Sequence, residues 1–225
     1  MITYSGVHIQ KIGGAAGIPT PEDIAVQSAR ICRFGGSVWY PLMPHLIFVG
    51  LLAYKRSGNI ANFIWGVLHD AHEVATSDVP RPFKCDCMRL EQDAIDKRLL
   101  DHYLPDWIKW HNDGDLDFDL IKQCDHDACD IEAVELNLPG FAEIEIAHTK
   151  DYRNRKAVYT DADDVKLFHT ARLTYGRSDA VKGLDHFSTS AFARLLTNIE
   201  KQEFEAVKTW IDSWRVGVQF KGGEK

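Results

Sequence analysis

The chain has 225 residues, a formal net charge of −7, 45% hydrophobic and 26% charged residues. That length and composition fit one folded domain with a full apolar core, with an appendage at most, and exclude a disordered chain. The acidic balance argues against a broad basic surface for duplex nucleic acid. No apolar run approaches the roughly 20 residues that span a bilayer, and the start lacks the regions of a secretory signal, so a cytoplasmic protein is expected.

Taken in chain order, hydrophobic periodicity predicts a succession of helices and an all-α fold. Thr20 is placed to cap the first helix with Pro21 in its first turn, and Ile24, Val26, Ala29 and Ile31 carry it to the double glycine Gly35-Gly36. A second helix begins at Pro44 with His45, Ile47, Phe48, Leu51 and Leu52. Ser57-Gly58-Asn59 reads as a turn, and a third helix runs from about Ile60 through Trp65, Leu68 and His69. Asp78-Val79-Pro80-Arg81-Pro82 is then a stiff extended loop, since its prolines forbid regular helix. Two longer helices follow over 86–103 and 117–138, the second stopped by Pro139-Gly140. A polar, basic stretch at 150–160 reads as a surface loop or hairpin, 163–175 as a helix, and 188–215 as one long amphipathic helix carrying Phe192, Leu195, Ile199, Val207, Trp210, Ile211 and Trp214. The division expected is a core over 1–149 and a helical extension packed on it over 150–225.

Five cysteines, Cys32, Cys85, Cys87, Cys124 and Cys129, are odd in number and form no Cys-x-x-Cys pair. They read as free thiols in a reducing compartment, and their spacing does not support a structural zinc site.

Chemistry concentrates in the segment from Leu68 to Lys84. On a helix, adjacent His69 and Asp70 project about 100° apart and can reach one ion, and Glu73 shares the face of His69 one turn on. A His-Asp pair alone is weak evidence, so further ligands are needed. His45 stands in an apolar run where an unpaired imidazole would be costly to bury. The stretch around 120–132 offers Asp125, Asp127 and Asp130 as competing carboxylates. A His, His-Asp, Asp set is a two-nitrogen, two-oxygen site suited to a first-row divalent metal. The order His69-x-x-His72-Glu73 matches neither metalloprotease motif. His72 is expected to point away from the ion or to support a ligand from behind. His8, His102, His111, His126, His148, His169 and His186 have no partner pattern and are expected at the surface.

Over roughly Pro19 to Leu138 the sequence resembles the HD phosphohydrolases, in the branch of bacterial 5′-deoxynucleotidases and phage dATP triphosphohydrolases. Three blocks carry the resemblance: Glu22-Asp23-Ile24-Ala25 through Ile31-Cys32-Arg33-Phe34-Gly35-Gly36 to His45; His69-Asp70-Ala71-x-Glu73-Val74-x-x-x-Asp78-x-Pro80-x-Pro82-x-Lys84; and Ile121-Lys122-x-x-Asp125 with Glu132-Ala133. It implies an HD-domain helical bundle in which His45, His69, Asp70 and Asp125 hold a divalent metal of the Co, Mn, Zn or Ni class. By the same resemblance Glu73 assists the attacking water, Arg33 and Lys84 face phosphate, Phe34 packs on the sugar and Asp78 holds a sugar hydroxyl. It selects Asp125 among the three aspartates, leaving Asp127 and Asp130 facing solvent and near neutral to substitution.

The implied substrate is a small nucleotide, first a dNTP such as dATP that releases triphosphate, with extra Mg accompanying the triphosphate. A dNMP is the alternative. A nucleotide-binding scaffold without turnover is the reading from another class, and a homo-oligomer is the implied assembly. The chain departs from the family in Pro44 and Leu46, which flank His45 where an acid or amide and a serine are usual, and in Ser37, where histidine is frequent.

Overall fold

The computed structural model describes residues 5–6, 17–80, 83–138, 161–173 and 184–213. Among them the regular structure is helical, with one isolated antiparallel bridge between Cys32 and Pro41. The all-α expectation therefore holds. No described helix is long and apolar enough to cross a membrane.

Helix α1 (Pro21–Ser28) starts as its sequence dictates: Thr20 Oγ1 accepts from the Asp23 amide, while the Asp23 carboxylate accepts from the Thr20 amide. This reciprocal box satisfies two donors that a helix start would otherwise leave open. The helix ends well short of the double glycine, with Ala29 as its C-cap. The chain then extends, because the Arg33 amide donates to the Tyr40 carbonyl and the Leu42 amide to the Ile31 carbonyl. Gly35 and Gly36 instead turn a short 3-10 segment, Phe34–Gly36, with positive φ at all three residues.

Helix α2 (Leu42–Ser57) begins two residues before the expected Pro44 and is buried from Leu42 to Ala53. Gly58 closes it in the left-handed conformation, with φ of 70°. Helix α3 (Ile60–Leu68), capped by Asn59, crosses α2 at a close approach. A Cβ at Gly66 would lie 2.8 Å from the Gly50 Cα, so neither glycine tolerates a side chain there. This contact brings the N-terminal end of α2 and the C-terminal end of α3, each bearing one of the histidines, to the same region.

A short α4 (Glu73–Thr76) follows, then α5 (Asp86–Tyr103), α6 (Trp107–Asn112) and α7 (Phe118–Glu135). The α6 helix was not anticipated from periodicity. Helix α7 packs on α2 and α3, its N-cap Asp117 giving its own amide to Asn62 Oδ1. Helices α8 (Ala162–Leu173), α9 (Leu184–Glu200) and α10 (Phe204–Ser213) contribute Phe168, Phe192, Leu195, Ile199, Val207 and Ile211 to the same buried cluster as Phe48 and Phe63. The single long helix expected over 188–215 is thus two, broken at Lys201–Glu203 where Gln202 adopts φ of 59°. Pro139-Gly140 and the stretch at 150–160 lie outside the described residues.

Two further expectations are corrected. Cys85 and Cys87 are joined in a disulfide at the start of α5, leaving Cys32, Cys124 and Cys129 as the free thiols among the described residues. Asp127 does not face solvent: it is buried, and it accepts from Arg56 at 2.5 Å, which also pairs with Asp164 on α8. Lys55 pairs with the same Asp164 at 2.6 Å, so this network ties α2, α7 and α8 together. Substitution at Asp127 is accordingly not neutral. Asp127→Ala is expected to lower stability by about 1.5–3 kcal/mol, the worth of a hydrogen bond to a charged group, in urea unfolding. A variant as stable as the parent would show that Arg56 needs no partner from α7.

Candidate metal centre

His45 is fully buried one turn into α2, in a run whose neighbours Leu42, Met43 and Leu46 are buried in the apolar core. Its Nδ1 is 2.8 Å from Glu132 Oε1, and Glu132 is itself fully buried on α7. His69 is the C-cap of α3 and its Nδ1 donates to the Gly66 carbonyl at 2.8 Å. Each imidazole is therefore anchored through Nδ1, and each Nε2 is left buried without a hydrogen-bond partner among the described residues. Such an arrangement fixes the tautomer and aims the free nitrogen, as metal-ligating histidines require.

Those nitrogens face two carboxylates. His45 Nε2 lies 3.2 Å from Asp125 Oδ1 and 3.8 Å from Asp70 Oδ2. His69 Nε2 lies 3.4 Å from Asp70 Oδ2 and 3.6 Å from Asp125 Oδ1. One ligand atom from each of His45, His69, Asp70 and Asp125 falls within 4.8 Å of the others. The four residues expected as ligands are thus brought together by α2, the end of α3 and the middle of α7. Two buried nitrogens without hydrogen-bond partners among the described residues, together with two carboxylates, make a donor set that could hold a metal ion.

The electrostatics say what holds the set together without an ion. Burial opposes charge on His69, but Asp70 and Asp125 outweigh it and hold its pKa well above the ordinary value. Burial and the Arg33 cation oppose charge on His45, and Glu132 and Asp125 overcome them, so its pKa is raised as well. Against their own burial, Asp70 is held low by His69, and Asp125 by both histidines. In the metal-free chain protons on the imidazoles balance the carboxylates, so metal uptake must release protons and weaken as pH falls.

Glu73, the first residue of α4, is buried beside this set, and its Oε2 has no partner among the described residues. Burial, then the negative charges of Asp70 and Asp78, push its pKa from 4.5 up to about 8. Between those values the folded chain holds a proton that the unfolded chain has lost. The stability Glu73 contributes is therefore full below about 4.5 and is lost as pH rises through about 8. Glu73→Gln stays neutral and removes this slope. In urea titrations the metal-free variant should lose less stability than the metal-free parent between about pH 5 and about pH 9; parallel curves would mean that Glu73 is already ionised at neutral pH.

Arg33 is nearly buried, 3.6 Å from both Asp70 Oδ2 and Glu132 Oε2. Its guanidinium lies 5.6 Å from the centre of the Phe34 ring. Phe34 holds φ of 56°, a left-handed conformation unfavourable for an aromatic residue, and its ring is 6.4 Å from that of Tyr40. Asp78 and Lys84 stand half-buried on the loop between α4 and α5, in which Arg81 and Pro82 lie outside the described residues. Of the remaining histidines, His102, His111 and His169 are exposed and His126 is half-buried. His8 and His148 lie outside the described residues, as does the side chain of His186.

Two residues were not given their roles by the sequence. Glu132 accepts from the Tyr40 hydroxyl at 2.9 Å as well as contacting His45, and so braces a candidate ligand from behind. Its signal was a spacing of seven residues from Asp125, two turns on the same helix face. His72 is buried, with Nδ1 2.9 Å from Asp96 Oδ1 on α5, a partner its spacing did not name. Compared with family models, curated proteins and solved structures, the chain matches none of them.

Proposed function

We propose that the chain is a metal-dependent phosphohydrolase of the HD type that cleaves the 5′ phosphate ester of deoxynucleotides, foremost a dNTP such as dATP with release of triphosphate. The observation that carries this reading is the pair of buried, unpartnered Nε2 atoms of His45 and His69 facing Asp70 and Asp125. When bound there, a divalent ion supplies Lewis acidity to phosphoryl oxygens and lowers the pKa of a water towards about 7.

The chain's own side chains do the rest. Glu73 orients the attacking water and takes its proton, which its buried carboxyl next to Asp70 is placed to do. The water oxygen bonds to the α-phosphorus, the bond to the 5′ oxygen breaks, and a proton ends on the leaving hydroxyl. Arg33 touches Asp70 and Glu132 only loosely, at 3.6 Å, which leaves donors of its planar fork for phosphoryl oxygens. Lys84 adds a second positive charge from the loop before α5. Phe34 packs on the deoxyribose and excludes a 2′-hydroxyl, and Asp78 accepts from a sugar hydroxyl. The held-out backbone of Phe34 supports that role, since strain of this kind persists where a side chain must be presented.

The test is a panel of dATP, ATP and dAMP with the ion supplied, in the parent and in Phe34→Ala. The parent should release triphosphate from dATP and spare ATP, and Phe34→Ala should keep its metal while hydrolysing ATP nearly as well as dATP. Phosphate release from dAMP alone would move the assignment to a 5′-deoxynucleotidase. Binding of dATP without any product would leave a scaffold that does no chemistry.

A further inference from the structure

The start of α5 gains little from packing. None of residues 86–91 is buried, and the first buried side chain of the helix is Gln92. The N-cap residue, Cys85, makes no side-chain hydrogen bond to the first turn. What ties α5 to α4 lies further along, where Gln92 Nε2 donates to Thr76 Oγ1 at 3.1 Å and Asp96 pairs with His72. Ahead of those ties the helix start is closed by the Cys85–Cys87 disulfide. Its cysteines are two residues apart within a single turn, so it joins no two elements and removes little entropy from the unfolded chain. Such a bridge stabilises a fold poorly. Both cysteines are exposed, where an attacking thiolate can reach them. By contrast Cys124 is buried, Cys32 and Cys129 are half-buried, and all three are free thiols.

We propose that Cys85 and Cys87 form a reversible dithiol–disulfide couple that holds or releases the first turn of α5, and with it Lys84. The role of Lys84 toward phosphate rests on the proposed function; the couple itself does not. The redox partner is a dithiol. Its thiolate attacks one sulfur of the bridge, the Sγ–Sγ bond breaks, and the released thiolate takes a proton. The partner's second thiolate then displaces the remaining cysteine from the mixed disulfide, and that sulfur is protonated in turn. Two electrons have passed, leaving the partner as a disulfide and Cys85 and Cys87 as thiols. Lys84 immediately precedes the bridge and is half-buried. With the bridge closed, its backbone runs into a fixed helix start. With the bridge open, a first turn that has no buried side chain and no side-chain cap frays, and the ammonium is no longer held in one place. Oxidation therefore strengthens the hold on a phosphate group and reduction weakens it. His45, His69, Asp70 and Asp125, which α5 does not carry, are untouched.

The experiment equilibrates the full chain in dithiothreitol buffers of stepped thiol-to-disulfide ratio, blocks free thiols with iodoacetamide, and follows the label on Cys85 and Cys87 by mass spectrometry. Hydrogen–deuterium exchange and metal-supplied dATP hydrolysis are then measured on unlabelled samples of both end states, after the dithiothreitol is removed. The two cysteines should gain and lose label together and reversibly. Reduction should speed exchange over 83–91 and raise KM for dATP about tenfold, the lower end of the worth of a hydrogen bond to a charged group, with kcat and bound metal unchanged. Cys87→Ser should behave as the reduced parent in every buffer; it is preferred to Cys85→Ser because serine at the N-cap would itself hold the first turn. Cysteines that take label in every buffer, or a bridge that dithiothreitol does not open, would overturn the couple. Equal exchange over 83–91 in the two states would overturn its action on the helix start, and faster exchange with an unchanged KM would overturn the link to Lys84. Redox-dependent exchange in a chain that hydrolyses no nucleotide would uphold the couple and overturn the proposed function.

Discussion

His69→Ala is expected to abolish both binding of the tight divalent ion and hydrolysis, while leaving far-ultraviolet circular dichroism close to that of the parent. The side chain sits at the end of α3, where its Nδ1 donates to the Gly66 carbonyl at 2.8 Å and its Nε2 faces Asp70 and Asp125 at 3.4 and 3.6 Å. Losing it removes one of the two free nitrogens, so Asp70 and Asp125 would face the ion with His45 alone. Two carboxylates and one imidazole bind a transition ion less tightly, and with the ion goes the Lewis acid that activates water. Asp125→Ala should behave alike. The contrast with Asp127→Ala, two residues on, is the informative one: that variant should lose stability and keep its metal. Turnover at the parental rate in purified His69→Ala would remove the metal assignment.

Glu73→Gln should lower turnover by about 10²–10⁴-fold, the usual worth of a positioned acid/base group, with the tight ion retained. Glutamine keeps the volume of a buried side chain but cannot accept the proton of the attacking water. The position favours this role because Glu73 lies one turn beyond His69 in sequence, is buried beside Asp70, and has one oxygen free of hydrogen bonds among the described residues. Measuring turnover against pH separates proton transfer from packing. The parent's rate should rise as Glu73 ionises, and the variant's residual rate should lack that limb. An unchanged rate, or loss of the ion held by His45 and His69, would recast Glu73 as a structural residue or as a ligand of that ion.

What the sequence revealed, and what it hid, follows the range of the forces involved. Thr20 with Pro21 and Asp23 declares its helix start locally, through hydrogen bonds spanning three residues. His45 stood out because a polar residue in an apolar run is conspicuous against its neighbours, whereas the choice of Asp125 over Asp127 and Asp130 came from the family resemblance and not from spacing. The end of α1 was not legible, because the bridge between Cys32 and Pro41 fixes it and the double glycine serves the turn between them. Nor was the break between α9 and α10, where the sequence Glu200-Lys201-Gln202-Glu203 carries no glycine or proline. There Gln202 Nε2 donates to the carbonyl of Tyr103, 99 residues away, and a tertiary contact replaces the local stop signal. Asp127 was misplaced because its partner Arg56 lies on another helix, and the partner of His72, Asp96 on α5, was hidden for the same reason.

The central claim is that hydrolysis of the 5′ ester depends on an ion held by His45, His69, Asp70 and Asp125. It is tested most directly by stripping the purified chain with a chelator, restoring Mn²⁺ or Co²⁺ in steps, and following triphosphate release from dATP against metal bound. The account predicts no release from the stripped chain and a rate that rises in proportion to occupancy of the tight site. Release that survives complete removal of metal, or a fully loaded chain that leaves every deoxynucleotide intact, would contradict it.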